Sequence, residues 1–120
     1  MEDQSAAVAA LAALGQHTRL NLFQLLVAEG ADGLSAGKIA ERLGVRQNTL
    51  SAHLGILERA GMIAHRREGR SLIYRPSFFG MRSLVRFLVQ DCCGSHPAVT
   101  KPLLKQLSAV AEVPEVAEPA

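Results

Sequence analysis

Hydrophobic residues recur at spacings of three and four along most of the chain, which predicts a mainly helical protein. Ser35 stands where a side chain caps the start of a helix, and Gly44 stands where a helix ends. Leucines at positions 50, 54 and 57 give the clearest helical stripe. The pattern predicts helices over residues 5–14, about 18–28, 35–43, 47–60 and about 77–91, and a weaker one over 101–110.

The pattern changes to alternation after the fourth predicted helix. Residues 62–67 and 71–75 predict two short antiparallel strands, with Gly69 in the turn between them. A short helix, a tight turn at residues 44–46, a longer helix and a basic hairpin together predict a winged helix-turn-helix. We therefore expect a mainly α fold with a small β-hairpin wing.

The length of 120 residues fits one domain. We assign residues 1–97 to the winged helix-turn-helix and dimerisation domain, and residues 98–120 to a tail that is partly helical and disordered from about residue 111. No stretch approaches the roughly 20 apolar residues of a membrane span. We therefore expect a cytoplasmic protein with reduced cysteines and no membrane partner.

The net charge of +2 is unevenly distributed. Residues 42–75 contain seven arginines and two glutamates, which leaves +5, whereas three glutamates give the stretch from Glu112 onward −3. A basic middle segment predicts a polyanionic partner.

The fourth predicted helix has the face that a DNA-reading helix needs. With its leucines turned inward, small and amide side chains lie opposite, where they allow close approach to the major groove and hydrogen bonds to base edges. Arginines at the margin and in the wing suit phosphate contacts. The predicted contacts to double-stranded operator DNA are Arg46, Gln47, Asn48, Thr49, Ser51, Ala52, His53, Arg66, Arg67 and Arg70. A solvated basic face and a winged helix used only for protein contacts are the alternatives.

One recognition helix per chain predicts a homodimer, because specific sites usually consist of two half-sites one DNA turn apart. The first and fifth predicted helices carry more than one apolar stripe. We predict Leu11, Leu84, Phe87 and Leu88 at the dimer interface, with the core of one chain as their alternative place.

Five segments stand out by their order: LGQHTRL at 14–20, KIAERLG at 38–44, QNTLSAHL at 47–54, LERAGMI at 57–63, and REGR at 67–70 with Tyr74. Over about residues 8–93 this pattern resembles the ArsR/SmtB metalloregulatory repressors. The resemblance implies a homodimer built from the first and fifth helices that represses its own operon until an effector binds. Arg46 departs from the family, which often has a capping serine there, and Asn48 is a candidate to replace that cap.

Cys92 and Cys93 are the candidate effector site. The family's metal sites on its third and fifth helices need cysteine, or histidine and carboxylates, that this chain lacks there. Soft thiolates select soft ions such as trivalent arsenic and antimony. An arsenic-responsive branch of the family has a similar Cys-Cys-Gly stretch with a third cysteine farther on, where this chain has Thr100. Inorganic arsenite with His96 or water as third ligand, or an organoarsenical held by two thiols, both remain open.

The two cysteines allow three other interpretations. They could sense oxidation or persulfides in a repressor of the same fold, or fill space at a helix end. An arsenate reductase of the phosphatase-like kind needs arginine six residues after the cysteine, where Ala98 and Val99 stand. We therefore predict no enzyme activity, no protein substrate, and no cofactor requirement for DNA binding.

Overall fold

A computed structural model of the chain describes residues 4–109. Its helices are α1 (Gln4–Leu14), α2 (His17–Glu29), α3 (Ala36–Leu43), α4 (Gln47–Arg59), α5 (Phe78–Arg86) and α6 (Pro97–Ala109). Its strands are β1 (Leu34–Ser35), β2 (Ile63–Glu68) and β3 (Ser71–Pro76), with a short 3-10 turn at Gly30–Asp32 and a π-helical segment at Phe87–Cys92. The mainly α fold with a β-hairpin wing is confirmed.

The helix boundaries follow the local signals. The Ser35 hydroxyl accepts a hydrogen bond from the Lys38 backbone amide and so caps α3. Gly44 ends the same helix in the left-handed conformation (φ 68°), which glycine adopts without steric cost. The turn of residues 44–46 then leads directly into α4, as the sequence predicts.

The sheet has one strand that the sequence does not predict. Its order is β1-β3-β2, all antiparallel, with Leu34 opposite Tyr74 and Glu68 opposite Ser71. Gly33, just before β1, has a φ of 74°, and a side chain there would lie 2.5 Å from the Tyr74 carbonyl oxygen. The absence of a side chain at this position therefore lets the third strand pair with the wing.

The core joins the first four helices to the base of the wing. Its fully buried large side chains are Leu22, Leu26, Ile39, Leu50, Leu57 and Met62. Helix α1 contributes alanines 7, 10 and 13 to this core, whereas Val8 and Leu11 are exposed. The core face of α1 is thus formed by its alanines, whose small side chains let α1 pack closely.

The predicted fifth helix changes form before it ends. Helix α5 covers Phe78–Arg86, and residues Phe87–Cys92 continue as the π-helical segment. Helix α6 begins at Pro97, four residues before the predicted start, because His96 accepts a hydrogen bond from the Ala98 amide and proline suits a first helical turn.

Contacts within the chain divide it into two compact units after Val85. The first contains the helix-turn-helix and wing, and the second begins with the π-helical segment. The predicted domain end at residue 97 stays a prediction. The predicted disordered tail, from residue 111, lies outside the described residues. Within residues 4–109 no helix is long and apolar enough to cross a membrane.

Candidate nucleic-acid interface and cysteine pair

Helix α4 separates its core side from an open side as predicted. Leu50, Leu54 and Leu57 are buried, and leucine burial fixes which way the helix faces. The predicted reading residues, apart from His53, are exposed on the opposite side: Gln47, Asn48, Thr49, Ser51 and Ala52, with Gly55 half-buried behind them. The structure therefore presents small and amide groups on the exposed side of α4, which is what close approach to a major groove requires.

The start of α4 is capped from inside the helix. Arg46 occupies the cap position with no capping hydrogen bond from its side chain. The Asn48 side-chain oxygen instead accepts a hydrogen bond of 2.8 Å from the Thr49 backbone amide. The side-chain nitrogen of Asn48 is left as a donor on the exposed side, where it can meet a base or phosphate.

The wing places two of its three predicted arginines outward. The strands meet in a two-residue turn in which Gly69 has a φ of 61°, as a turn with glycine in its first position requires. Arg70, also in the turn, and Arg67 on β2 are exposed. Both can reach a phosphate beside the groove that α4 would enter.

Arg66 does not share this arrangement. Its Nε donates to the Glu68 carboxylate at 2.8 Å, and its Nη2 donates to the Asp32 backbone carbonyl at 3.0 Å. Arg66 points to the opposite face of β2 from Arg67, because successive residues of a strand alternate. These bonds tie the wing to the turn after α2, and they favour a structural role for Arg66 over its predicted DNA contact.

His53 has a contact within the protein that the sequence pattern does not predict. The ring is half-buried, and its Nδ1 lies 3.2 Å from Nη1 of Arg19 on α2. Burial, and then the positive charge of Arg19, lower the pKa of His53. A neutral ring adds no charge toward a phosphate near pH 7. No local pattern predicts the contact of Arg19 with His53, because the two residues are 34 positions apart.

A second histidine secures the base of the wing. His65 on β2 forms a hydrogen bond with the Glu58 carboxylate at the end of α4, and its ring packs 5.5 Å from the ring of Tyr74. Burial, and then the Glu58 carboxylate, raise the pKa of the Tyr74 hydroxyl. These contacts join the start of the wing to the end of α4.

Few of the arginines of residues 42–75 are neutralised by the protein. Among the described residues, the ion pairs in this segment are those of Arg42 with Glu29, Arg66 with Glu68, and His65 with Glu58. The remaining arginines, which keep their charge for an external partner, are Arg46, Arg59, Arg67, Arg70 and Arg75. The positive segment seen in the sequence is therefore a positive surface around α4 and the wing.

The predicted dimer residues fall in different environments. Leu11 is 44% exposed, whereas Leu84 is only 6% exposed and belongs to the core of its own chain. This burial favours the core of its own chain as the place of Leu84, since a buried side chain has little surface left for a partner. Phe87 and Leu88 are half-buried in the second unit. Phe79, which was not predicted, is 67% exposed on α5.

Cys92 and Cys93 are both free and exposed. Cys92 ends the π-helical segment, and the Cys93 amide donates to the Leu88 carbonyl at 3.2 Å. Within residues 4–109, no group of three or more His, Cys, Asp or Glu side chains is placed to hold a metal ion. His96 caps α6 through Nδ1 and does not complete such a group with the two thiols.

Comparison with known proteins supports the fold and the family. A family described as a helix-turn-helix domain matches residues 14–66. The transcriptional activator HlyU of Vibrio cholerae is 32% identical over 97 residues, which cover 80% of this chain and 87% of HlyU. The structure of reduced HlyU matches with a TM-score of 0.58 and 29% identity, over 74% of this chain and 90% of that one.

Two further solved structures agree. The homodimeric winged helix-turn-helix domain Mb0332 from Mycobacterium bovis, described as a possible ArsR-family regulator, matches with a TM-score of 0.57, 28% identity, and coverage of 80% of this chain and 94% of that one. The repressor BigR from Xylella fastidiosa matches with a TM-score of 0.55, 32% identity, and coverage of 69% and 82%. The chain therefore belongs to the ArsR/SmtB family of winged helix-turn-helix transcriptional regulators.

Proposed function

We propose that this chain is a repressor that binds operator DNA as a homodimer and releases it when trivalent arsenic bridges Cys92 and Cys93. The observation that carries the proposal is the pair of adjacent, exposed thiols at the end of the segment that follows α5. Thiolates are preferred ligands of soft ions. Each arsenic–sulfur bond replaces a bond from arsenic to oxygen, and the thiol proton leaves with that oxygen in water.

An apolar groove in the first unit supports the homodimer. Alanines of α1 and Phe79, Gly80 and Leu84 of α5 line the groove, with the turn at residues 60–62 beside them. Val8 and Leu11 of α1 add exposed apolar surface. A second copy is the occupant that we propose, because the similar Mb0332 domain is described as homodimeric. Leu11, Phe87 and Leu88 remain predicted interface residues.

The donor set fits an arsenical that needs two protein ligands. An organoarsenical already has one bond to carbon, so two thiols complete its coordination. Inorganic arsenite needs a third ligand, for which the described residues supply no converging side chain. We therefore expect the chain to respond more strongly to monosubstituted organoarsenicals than to arsenite.

The two cysteines lie where the π-helical segment ends, which couples them to its backbone. Cys92 is the last residue of the segment, and Cys93 follows it with a non-helical backbone (φ −102°, ψ 0°). One arsenic atom bonded to both sulfurs would hold the two side chains together, and we expect the backbone around them to adjust. The bonds that close the segment, from the Cys93 amide to Leu88 and from the Ser95 amide to Val89, would then be strained or lost. A tenfold loss of DNA affinity requires about 1.4 kcal/mol of such coupling.

Thiol oxidation or persulfide formation is a second candidate signal. Both thiols are exposed, and a third metal-binding side chain is missing from the described residues. A matching structure is described as reduced HlyU, which makes redox state a relevant variable for a relative. Both candidates use the same cysteines, so the experiment must separate the chemistries.

Fluorescence anisotropy with labelled DNA from upstream of the chain's own operon distinguishes the arsenic response from the redox response. With thiols kept reduced, phenylarsine oxide should raise the dissociation constant of the wild type at least about tenfold. Cys92→Ser and Cys93→Ser should bind DNA like the wild type and resist phenylarsine oxide. Ser95→Ala is the matched control and should respond like the wild type.

A parallel titration without reductant uses hydrogen peroxide and sodium tetrasulfide. Release by these oxidants, with no response to phenylarsine oxide or arsenite, would replace the arsenic proposal by the redox one. Release from both serine variants by phenylarsine oxide would exclude the cysteines as the site.

A further inference from the structure

We propose that Arg19 and His53 are a positioning pair, which fixes how the recognition helix α4 is presented to DNA. His53 then acts through Arg19 and not by touching a phosphate. This inference concerns operator affinity and is independent of the effector. It rests on three hydrogen bonds that connect α1, α2 and α4.

The guanidinium of Arg19 bridges two helices. Its Nε donates to the Ala13 backbone carbonyl at 2.7 Å, and its Nη1 lies 3.2 Å from Nδ1 of His53. The Ala13 carbonyl is among the last four of α1, a position where helical partners run out. The backbone amide of Arg19 donates to the Gln16 side-chain oxygen at 2.9 Å, and this bond caps α2. Arg19 therefore stabilises the bend between α1 and α2 and connects it to α4.

The chemistry of this contact defines the state of the histidine. An arginine side chain has donors and no acceptor, so Nδ1 of His53 must accept and must be unprotonated. The proton of the neutral ring then lies on Nε2. Burial and the charge of Arg19, which is the charged group facing the ring, lower the pKa of His53 and favour this neutral state.

The place of His53 on α4 explains why the contact matters. It follows the exposed Ala52 and precedes the buried Leu54, so it lies at the edge between the open side and the core. A bond at this edge resists rotation of α4 about its own axis. A small rotation would move every reading side chain, from Gln47 to Gly55, relative to the bases.

Two amide substitutions separate positioning from direct contact. In His53→Asn, the side-chain oxygen takes the place of Nδ1 and can still accept from Arg19. In His53→Gln, the amide reaches the position of Nε2 and could contact DNA, but it offers no acceptor at the Nδ1 position. His53→Ala removes both functions. Circular dichroism checks that each variant is folded before its DNA affinity is measured.

Positioning predicts that His53→Asn binds operator DNA within about twofold of the wild type, whereas His53→Ala and His53→Gln bind about tenfold more weakly, which corresponds to about 1.4 kcal/mol. Affinity for random DNA should change little, and the salt slope of all variants should match the wild type. The opposite order would overturn the proposal. If His53→Gln retains affinity while His53→Asn loses affinity and about one unit or more of salt slope, His53 contacts DNA directly.

A double-mutant cycle gives an independent check. Arg19→Ala should weaken operator binding like His53→Ala, and the double variant should be no weaker than either single one, because both remove one contact. Additive losses would overturn the pairing. If His53→Ala fails to fold, the comparison of the two amide variants decides the matter alone.

Acid should have the same effect as losing the pair. Because the pKa of His53 is lowered in the folded chain, the contact is complete above the ordinary histidine value of about 6.5 and is lost as the pH falls through the lowered pKa. Operator affinity of the wild type should therefore fall on acidification below about pH 6.5, and that of His53→Asn should fall less. Identical pH profiles would contradict the positioning role. The arsenic response of His53→Asn should be intact, so failure here leaves the effector proposal standing.

Discussion

Replacing Arg70 by alanine should weaken DNA binding in a way that depends on salt and hardly on sequence. Arg70 is exposed in the wing turn, and no described residue forms a hydrogen bond or ion pair with it. Each phosphate contact contributes about 0.9 to the slope of log affinity against log salt, so a homodimer that loses two contacts should lose about 1.8. When the salt concentration rises fourfold, the ratio of wild-type affinity to variant affinity should then fall by about twelvefold.

The assay is anisotropy with operator and random DNA at a series of salt concentrations. Arg66→Ala is the matched control, because its side chain bonds to Glu68 and to the Asp32 carbonyl and should leave the slope unchanged. Asn48→Ala should instead reduce the preference for operator over random DNA, because a base contact carries the sequence information. An unchanged slope for Arg70→Ala, or an equal fall in slope for Arg66→Ala, would refute this assignment of the wing.

Three further predictions test the packing, the dimer and the arsenic ligands. Gly80→Ala should lower the free energy of unfolding by about 1–3 kcal/mol in denaturant titrations, since the added carbon would lie 2.2 Å from a backbone oxygen, whereas Gly37→Ala has room and should not destabilise the fold. In sedimentation experiments, Leu11→Glu should favour monomers while the protein stays folded. Leu84→Ala should instead destabilise the fold of the single chain. The reverse pattern would contradict the assignment of these two leucines. Thr100→Cys, which adds a third thiol, should increase the response of DNA binding to arsenite more than the response to phenylarsine oxide, and equal changes would argue against a shortage of ligands.

The fold was predictable where its signals are local. Ser35 and Gly44 mark the ends of α3, and the leucines of α4 give its orientation, because capping and helical periodicity depend on neighbours in the sequence. Strand β1 has only two residues, and its pairing with β3 requires the close approach at Gly33. The pattern of two residues is too short to predict such a contact.

The site was predictable in its residue types and less so in its contacts. Alternation along β2 shows that Arg66 and Arg67 point to opposite faces, but not which face meets the rest of the protein. The pairing of Arg19 with His53 connects residues 34 positions apart and depends on how α2 packs against α4. On α1, close helix packing buries the alanines and leaves Val8 and Leu11 exposed, which the spacing of apolar residues alone does not decide.

The measurement that tests the central claim most directly is native mass spectrometry of the protein–DNA complex during titration with phenylarsine oxide. The account predicts that free protein appears together with one phenylarsenic adduct per chain, and that Cys92→Ser and Cys93→Ser show neither the bridged adduct nor the loss of DNA. DNA that stays bound to fully adducted wild-type protein, or that dissociates from protein without the adduct, would contradict it.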